Sequence, residues 1–556
     1  FDYIRDSHQF AAGAVWILPA LDANGPFQNN GIFTFNGSRA GGGRIGMADF
    51  LLGLPSQFRQ GGNQLVKNRM NYFAMYLQDT WRVNSRLTVN AGIRWEPYYS
   101  AVDKAGLVSH FSMEWFDANR HSAIYPNAPA GMMFQGDEGF PGQSNTFGNW
   151  KHFAPRVGFV WDPKGDGTQT LRAATGLFYE SPKLWQYGRF PLNAPFGNTV
   201  TINNPTSFAD PWATYAGGNP FPTPSPVPSN FVFPTQLSLV NMPLNVEVPR
   251  MLQYNVSYQR QILGNVLVSA TYIGNKTMHL WAGKEINPAQ YIPGASTTAN
   301  TNQRRLLYLK NPSQGQYYAD IPTTDDGASG QYNGLVVSIQ KRLANHWSLS
   351  TNVTWSKCVN DAEPGIDIAN SYPDPNDRGS NRGPCDTDRR IISNTSLVLE
   401  SPGIGSGILQ AITADWTLGT VAQFRSGAPL TASITGDLAF SGLANRPIQL
   451  GDATLDNPTM DKWFDTSMFK ANSAGVWGSA LRGSIRGPKY FNIDMTLSRV
   501  IRLGNDRKLE VRAEAFNVFN RLNLDNPTTN FSSTDFGKIT SAQDPRIMQF
   551  AVKFSF

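Results

Sequence analysis

The chain has 556 residues, a mass of 61.3 kDa and a net charge of +6, from 47 basic and 41 acidic side chains. Charged residues make up only 16% and aromatic residues 12%, which argues against a disordered chain, and no cluster of Lys and Arg suggests nucleic-acid binding. The mean hydropathy is −0.33 and no run of 18 apolar residues exists, so transmembrane helices are excluded.

Along the chain, short segments alternate between apolar and polar residues with a period of two, which predicts β-strands. The first predicted strands are 4–8, 31–35 and 57–61. The predicted strand pairs that follow are 72–83 with 87–95, 157–161 with 171–179, 254–261 with 266–272, 335–342 with 347–355, 391–400 with 416–424, and 491–497 with 509–515. With the last strand the total is about sixteen, more than one soluble sheet usually holds.

The last eight residues form the clearest of these strands. Phe550, Val552, Phe554 and Phe556 fall on one face, and the residues between them are mostly polar. A strand with one apolar and one polar face needs an apolar phase on one side and water on the other. In a soluble sandwich that phase is a protein core, whereas in an outer-membrane barrel it is lipid.

The connections between strands fall into two alternating sets. One set is short, mostly two to six residues or a little more, with longer stretches near 41–52 and 402–414. The long set covers 101–151, 183–249, 282–329, 358–388, 435–488 and 520–545. Outer-membrane barrels have short periplasmic turns and long outer loops, and a last strand that ends at the periplasm puts every short turn on that side.

These patterns predict an all-β fold, an antiparallel transmembrane β-barrel with long extracellular loops, in which 1–556 is one barrel domain. Two other interpretations remain open. One is a passive porin-like or adhesin-like barrel. The other is a soluble protein of several β domains, because a single soluble core rarely exceeds about 250–300 residues.

Residues that suggest enzyme chemistry are almost absent. The six histidines are isolated, and there is no phosphate-binding loop, nucleophile elbow or Cys-x-x-Cys pair, so we expect no enzyme activity, no cofactor and no metal site. Cys358 and Cys385 flank one long loop. They are either two free thiols or a disulfide that closes a loop of roughly 28 residues and stabilises by about 3 kcal/mol in the chain-entropy model.

Other polar and aromatic groups have an ordinary structural explanation beside a functional one. Acidic residues crowd the loop between the cysteines, at Asp361, Asp367, Asp374, Asp377, Asp386 and Asp388. They are either solvated charges neutralised by nearby arginines or a calcium site, although their spacing matches no EF-hand. Charged residues predicted to face the lumen are Arg94, Glu96, Arg156, Arg172, Arg342, Glu510, Arg512 and Glu514. Loop aromatics that either pack or stack on sugars are Trp115, Trp150, Trp185, Trp212 and Trp477.

Several segments resemble the barrel of TonB-dependent outer-membrane receptors. The hairpin at 72–83 and 86–95 is similar to the family's aromatic-rich hairpin, and 48–55 (Ala-Asp-Phe-Leu-Leu-Gly-Leu-Pro) resembles a segment of the Oar-like subgroup. The end of the chain adds 514–523, 536–539 and the terminal Phe556. Together these motifs span most of the chain.

The resemblance implies a 22-stranded barrel filled by a plug, with energy drawn from the TonB complex of the inner membrane. The chain would be its C-terminal portion, without the plug and the regulatory-like domain. The expected partners are outer-membrane lipid, the TonB complex through the missing plug, and a small ligand, glycan or peptide. The barrel-assembly machinery is also expected, with Phe550, Val552, Phe554 and Phe556 as the membrane-assembly signal. The expected location is the outer membrane of a Gram-negative bacterium.

Overall fold

The computed structural model describes residues 1–26, 28–40, 46–197, 199–215, 218–222, 226–362, 372–504 and 507–556. Its main feature is a 16-stranded antiparallel sheet, in which fifteen strands follow one another and the short strand Gly383–Pro384 pairs to the side. We number the fifteen wall strands in chain order. They are β1 (Asp2–Arg5), β2 (His8–Ile17), β3 (Tyr72–Asn84), β4 (Leu87–Trp95), β5 (Phe153–Trp161), β6 (Gln169–Tyr179), β7 (Arg250–Ile262), β8 (Val266–Glu285), β9 (Pro322–Ala344), β10 (Trp347–Asn360), β11 (Ile391–Pro402), β12 (Ala414–Arg425), β13 (Tyr490–Gly504), β14 (Arg507–Phe516) and β15 (Ile547–Ser555).

Each wall strand pairs with its neighbours in sequence, so the sheet is a meander. Within the described residues, β1 and β15 do not pair with one another. None of the helices in the described part of the chain is long and apolar enough to cross a membrane.

The register sorts the side chains of the sheet into an apolar face and a polar face. On β10, Leu349 and Val353 point to the apolar face together with Leu397 and Val337 of the neighbouring strands. Ser350 and Asn352 lie on the opposite, polar face. Aromatic side chains mark both ends of the apolar face. Those near the short turns include Trp81, Trp161, Trp347 and Trp416, and those near the long loops include Trp16, Trp95 and Trp355.

The short connections all lie at one end of the sheet. Between β9 and β10 the turn consists of Asn345 and His346, whose φ angles of 52° and 66° suit a two-residue hairpin that follows the twist of the strands. The longest connection at this end, between β11 and β12, contains the helix Ile408–Thr413. We call this the short-turn end.

The other end carries seven long loops, L1 to L7. They span 18–71, 96–152, 180–249, 286–321, 361–390, 426–489 and 517–546. Their α-helices are Gly46–Leu51, Met113–Asp117, Leu306–Lys310 and Pro312–Gly315, and their 3-10 helices are Leu184–Leu192, Asn302–Arg304, Arg378–Asn381 and Thr466–Met468. Two three-stranded side sheets join L1 to neighbouring loops. One contains Ala20–Pro26, Asn63–Arg69 and Val102–Asp103, and the other contains Ile32–Thr34, Gln57–Gly61 and Thr199–Asn203.

The predicted fold class and the count of about sixteen strands are confirmed, but two predictions near the start of the chain, the strand 4–8 and the short connection 41–52, are wrong. The stretch 4–8 is not one strand, because it contains the turn between β1 and β2. The strands near 31–35 and 57–61 exist, but they belong to a side sheet and not to the wall. The stretch 41–52 is not a short turn, because its described part belongs to L1. Residues 41–45 lie outside the described residues. So do Asn505 and Asp506, in the turn predicted between the strands 491–497 and 509–515.

The last strand has the predicted orientation. Phe550, Val552 and Phe554 pair with Ala513, Val511 and Leu509, which places them on the apolar face. Phe556 is 96% exposed at the end of the chain. The role of these residues as an assembly signal stays a prediction.

Candidate functional site

The polar face of β4, β5 and β6 forms a recess of about 760 Å³ with basic walls. The register places Arg94, Arg156 and Arg172 on this face, as the sequence predicted. Its floor consists of small residues, namely Gly92, Gly158, Ala174 and Gly176. Because these floor residues have little or no side chain, the arginine side chains can lie along the sheet.

Arg156 illustrates this arrangement. A Cβ on Gly176 would lie 2.9 Å from the Cγ of Arg156, so the arginine side chain occupies space that only glycine leaves free. The guanidinium then stacks on the ring of Phe178, 4.3 Å from the ring centroid. A cation over an aromatic face is stabilised without any carboxylate.

The three arginines differ in their partners. Arg94 donates from Nε to Glu96 at 2.8 Å and from Nη2 to the Tyr72 hydroxyl at 2.9 Å. Neither Arg156 nor Arg172 forms an ion pair with any residue that the structure describes. The recess therefore carries two uncompensated positive charges, and such a surface attracts anionic groups.

The polar face of β13 to β15 is different, because its charges are mixed. Glu510 faces Lys553 across the strand pair, and Arg512 Nε lies 3.3 Å from Glu514 Oε1. Glu510, Arg512 and Glu514 were also predicted to face the lumen. The polar face thus changes from basic in one sector to nearly balanced in another.

The asparagines of the motif at 514–523 have structural roles. Asn517 is buried, adopts a left-handed backbone conformation, and its side chain bonds both the N–H and the carbonyl of Arg521. Its own N–H donates to Asp494 at 2.8 Å. Asn523 accepts from the Phe491 N–H. The motif therefore ties the start of L7 to β13.

Above the sheet, the outer loops pack on one another. A buried cluster joins L2, L3 and L4 through Phe111, Phe134, Phe233, Leu237, Leu307 and Tyr318. The Tyr318 hydroxyl donates to the Ala130 carbonyl at 2.6 Å. Among the predicted loop aromatics, Trp115 is buried under Arg120, Trp212 packs on Phe58, and Trp150 and Trp185 are more than half exposed.

Two buried titratable groups hydrogen-bond to the backbone of these loops. Glu285, only 2% exposed, accepts from the N–H groups of Asn287 and Ile321 at 2.6 and 2.9 Å. Burial raises the pKa of its carboxyl to about 7, although Arg305 and the two N–H donors oppose the shift. Burial also lowers the pKa of His110 to about 4, so this ring stays neutral while its Nδ1 bonds the Met242 carbonyl. Sequence alone gave no signal for Glu285, because its burial depends on L4.

Cys358 and Cys385, 27 positions apart in the sequence, form a disulfide with their Cα atoms 5.4 Å apart. The bond joins the outer end of β10 to L5. Beside it, Asp388 accepts from the Cys358 N–H at 2.8 Å and pairs with Arg486 at 2.9 Å.

Two of the predicted acidic residues of this region, Asp361 and Asp388, lie beside arginines. Arg378 lies 2.7 Å from Asp325 and 3.9 Å from Asp361, and Arg382 lies 3.8 Å from Asp361. Asp367 is outside the described residues. Among those that are described, no group of three His, Cys, Asp or Glu side chains could hold a metal ion. For Asp361 and Asp388 the nearby arginines agree with the structural explanation.

An antiparallel meander with an aromatic-bordered apolar face, a polar face, short turns at one end and long loops at the other defines a transmembrane β-barrel wall. The sequence profile of the family described as "outer membrane beta barrel domain" matches residues 1–549. The chain belongs to this family, and the protein lies in the outer membrane of a Gram-negative bacterium. The apolar face is therefore the lipid face, the polar face is luminal, and the long loops are extracellular.

Solved structures of outer-membrane transporters have a similar fold. The outer membrane transporter YddB from Escherichia coli matches with a TM-score of 0.50 and 11% identity, over 99% of this chain and 52% of that one. The copper transporter OprC matches with a TM-score of 0.44 and 11% identity, over 100% of this chain and 55% of that one. The FrpB iron transporter from Neisseria meningitidis matches with a TM-score of 0.43 and 10% identity, over 99% of this chain and 53% of that one. The chain spans about half the length of these structures. A search of the curated proteins found no match.

The TonB-dependent receptor-like barrel recognised from the sequence motifs is thus confirmed at the level of the fold.

Proposed function

We propose that the chain is the barrel wall of a TonB-dependent transporter of the Oar-like type. The outer loops capture a small ligand, glycan or peptide, and import through a plugged lumen uses energy from the TonB complex of the inner membrane. The observation that carries the proposal is the packing of L2, L3 and L4 into one buried cluster above a polar lumen. A folded cap suits capture and gated entry better than free diffusion. YddB, a protein with a similar fold, is an outer membrane transporter.

The proposal includes a plug and a TonB-contacting segment in the protein as it occurs in the cell. We expect the intact mass of the native protein in outer-membrane fractions to be well above 61.3 kDa. A native mass close to that value would favour the second candidate, a passive porin-like or adhesin-like barrel.

Energy coupling is tested by uptake into cells that express the native protein. The probes are ⁵⁵Fe-loaded hydroxamate and catecholate siderophores, labelled cyanocobalamin and labelled maltodextrin, each with and without a protonophore. We expect uptake of at least one probe, abolished by the protonophore and by deletion of the TonB complex. Uptake that persists in both conditions, or steady conductance of the purified protein in planar bilayers, would contradict energised import.

A further inference from the structure

Two lysines face lipid at the outer edge of the wall. Lys276 pairs with Leu252 and Gln331, and Lys357 pairs with Asn333, which places both on the lipid face of β8 and β10. Each lies ten residues beyond the first residue of its strand at the periplasmic turn, since 276 − 266 and 357 − 347 are both 10. With about 3.4 Å per residue and a tilt near 40°, that distance is about 26 Å along the membrane normal. Both ammonium groups therefore lie at the outer headgroup level, close to each other in height.

The surface between them presents hydrogen-bond donors. The lipid-facing Asn333 accepts at Oδ1 from the hydroxyls of Tyr272 at 2.7 Å and Tyr254 at 3.2 Å. Tyr254 lies across Gly274, where a Cβ would collide with its ring. With its oxygen occupied, Asn333 has only the N–H groups of Nδ2 left to offer, and these have no partner among the described residues.

No carboxylate in the described ranges pairs with either lysine. Both are exposed, and neither forms an ion pair with a residue of the described ranges. The nearest acid further out on β10 and L5, Asp361, lies within 4 Å of both Arg378 and Arg382. From the strand spacing, the Cα atoms of the two lysines are about 12 Å apart, so both flexible stems can reach one headgroup.

We propose that Lys276, Asn333 and Lys357 form a docking surface for the phosphate groups of a phosphorylated lipid in the outer leaflet. Charge complementarity supports this docking surface: two lysines without an ion-pair partner among the described residues and an amide donor lie on the lipid face, at the depth where lipid phosphates lie. Trp355, one position below Lys357 on the same face, supplies the aromatic contact at the interface. The proposal requires the outer-membrane location but not energised transport.

The test uses the native protein, purified in detergent, and fluorescent diphosphoryl lipid A in mixed micelles. The Lys276→Gln/Lys357→Gln variant removes both charges and keeps much of each stem. We expect its Kd to rise about fivefold for each lysine, or about 25-fold in total. Lys276→Arg/Lys357→Arg should bind within about threefold of wild type. Lys164→Gln/Lys470→Gln, which removes two exposed lysines from a periplasmic turn and from L6, is the charge-matched control and should bind as wild type does.

The wild-type protein gives a second measurement that does not depend on any variant folding. It should bind the dephosphorylated lipid at least tenfold more weakly than the diphosphoryl form, and millimolar inorganic phosphate should not displace the lipid. Equal binding of both lipids, displacement by inorganic phosphate, or equal losses in the Gln variant and the control would overturn the proposal. Heat-modifiable migration on gels verifies that each variant is folded.

Discussion

The assignment of the two faces can be tested at two adjacent alanines in the middle of β6. Ala173 pairs with Phe159 and Val256, which face lipid, whereas Ala174 lines the luminal recess. Both are close to the midpoint of a strand of eleven residues, Gln169–Tyr179. Ala173→Arg and Ala174→Arg therefore introduce the same side chain at nearly the same depth, on opposite faces.

The expected cost follows from the environment of each new guanidinium. An arginine that faces lipid near the bilayer midplane costs about 2–4 kcal/mol, which lowers the ratio of folded to unfolded protein roughly 30- to 900-fold. In the lumen the group stays hydrated. Repulsion from Arg156 and Arg172 then adds less than about 1 kcal/mol, because water in the lumen screens the charges.

The assay is equilibrium unfolding in urea of the native protein refolded into phospholipid vesicles, followed by tryptophan fluorescence. We expect Ala173→Arg to lower the free energy of unfolding by about 2–4 kcal/mol, with Ala174→Arg within about 1 kcal/mol of wild type. Ala173→Ser and Ala174→Ser control for the loss of alanine. If Ala174→Arg were the more costly variant, the assignment of the lipid and luminal faces would be reversed.

Three further predictions concern the terminal strand, the disulfide and the buried carboxyl of Glu285. Deletion of Phe556 should reduce the folded, heat-modifiable protein in outer-membrane fractions several-fold, whereas Phe519→Ala in L7 should not; equal amounts of both variants would contradict an assembly signal. Non-reducing peptide mapping should find Cys358 and Cys385 in one linked peptide, and replacing both by Ser should destabilise by about 3 kcal/mol; free thiols in the mature protein would exclude the bond. The pKa of Glu285 is raised from its ordinary 4.5 to about 7, so the folded state holds the proton more tightly and stability should fall between pH 5 and pH 8, by at most about 3 kcal/mol. Glu285→Gln should flatten this dependence in thermal melts, and an unchanged pH profile would show that the carboxyl does not titrate in this range.

One wall strand, β2, illustrates the limit of the period-two pattern. Its lipid-facing residues include Ala12, Ala14 and Trp16, but the luminal positions between them are small or apolar as well. The ring of Tyr76 on β3 lies beside Gly13, where it fills the space that glycine leaves. Because a neighbouring strand supplies the side chain that covers this position, the sequence of β2 does not alternate, and the strand was missed.

By itself, the sequence determined the fold class, most of the wall strands and the side on which each long loop lies. A bilayer on one face and water on the other impose a period of two that is local to each strand, as in 347–355 and 549–556. The tertiary structure alone decided which distant residues meet. Arg156 meets Gly176 and Phe178 through strand pairing, and Glu285 is buried only because L4 folds back over the end of β8. Lys276 and Lys357 are 81 residues apart in the sequence, and only the pairing of β8, β9 and β10 brings them to one surface at one height.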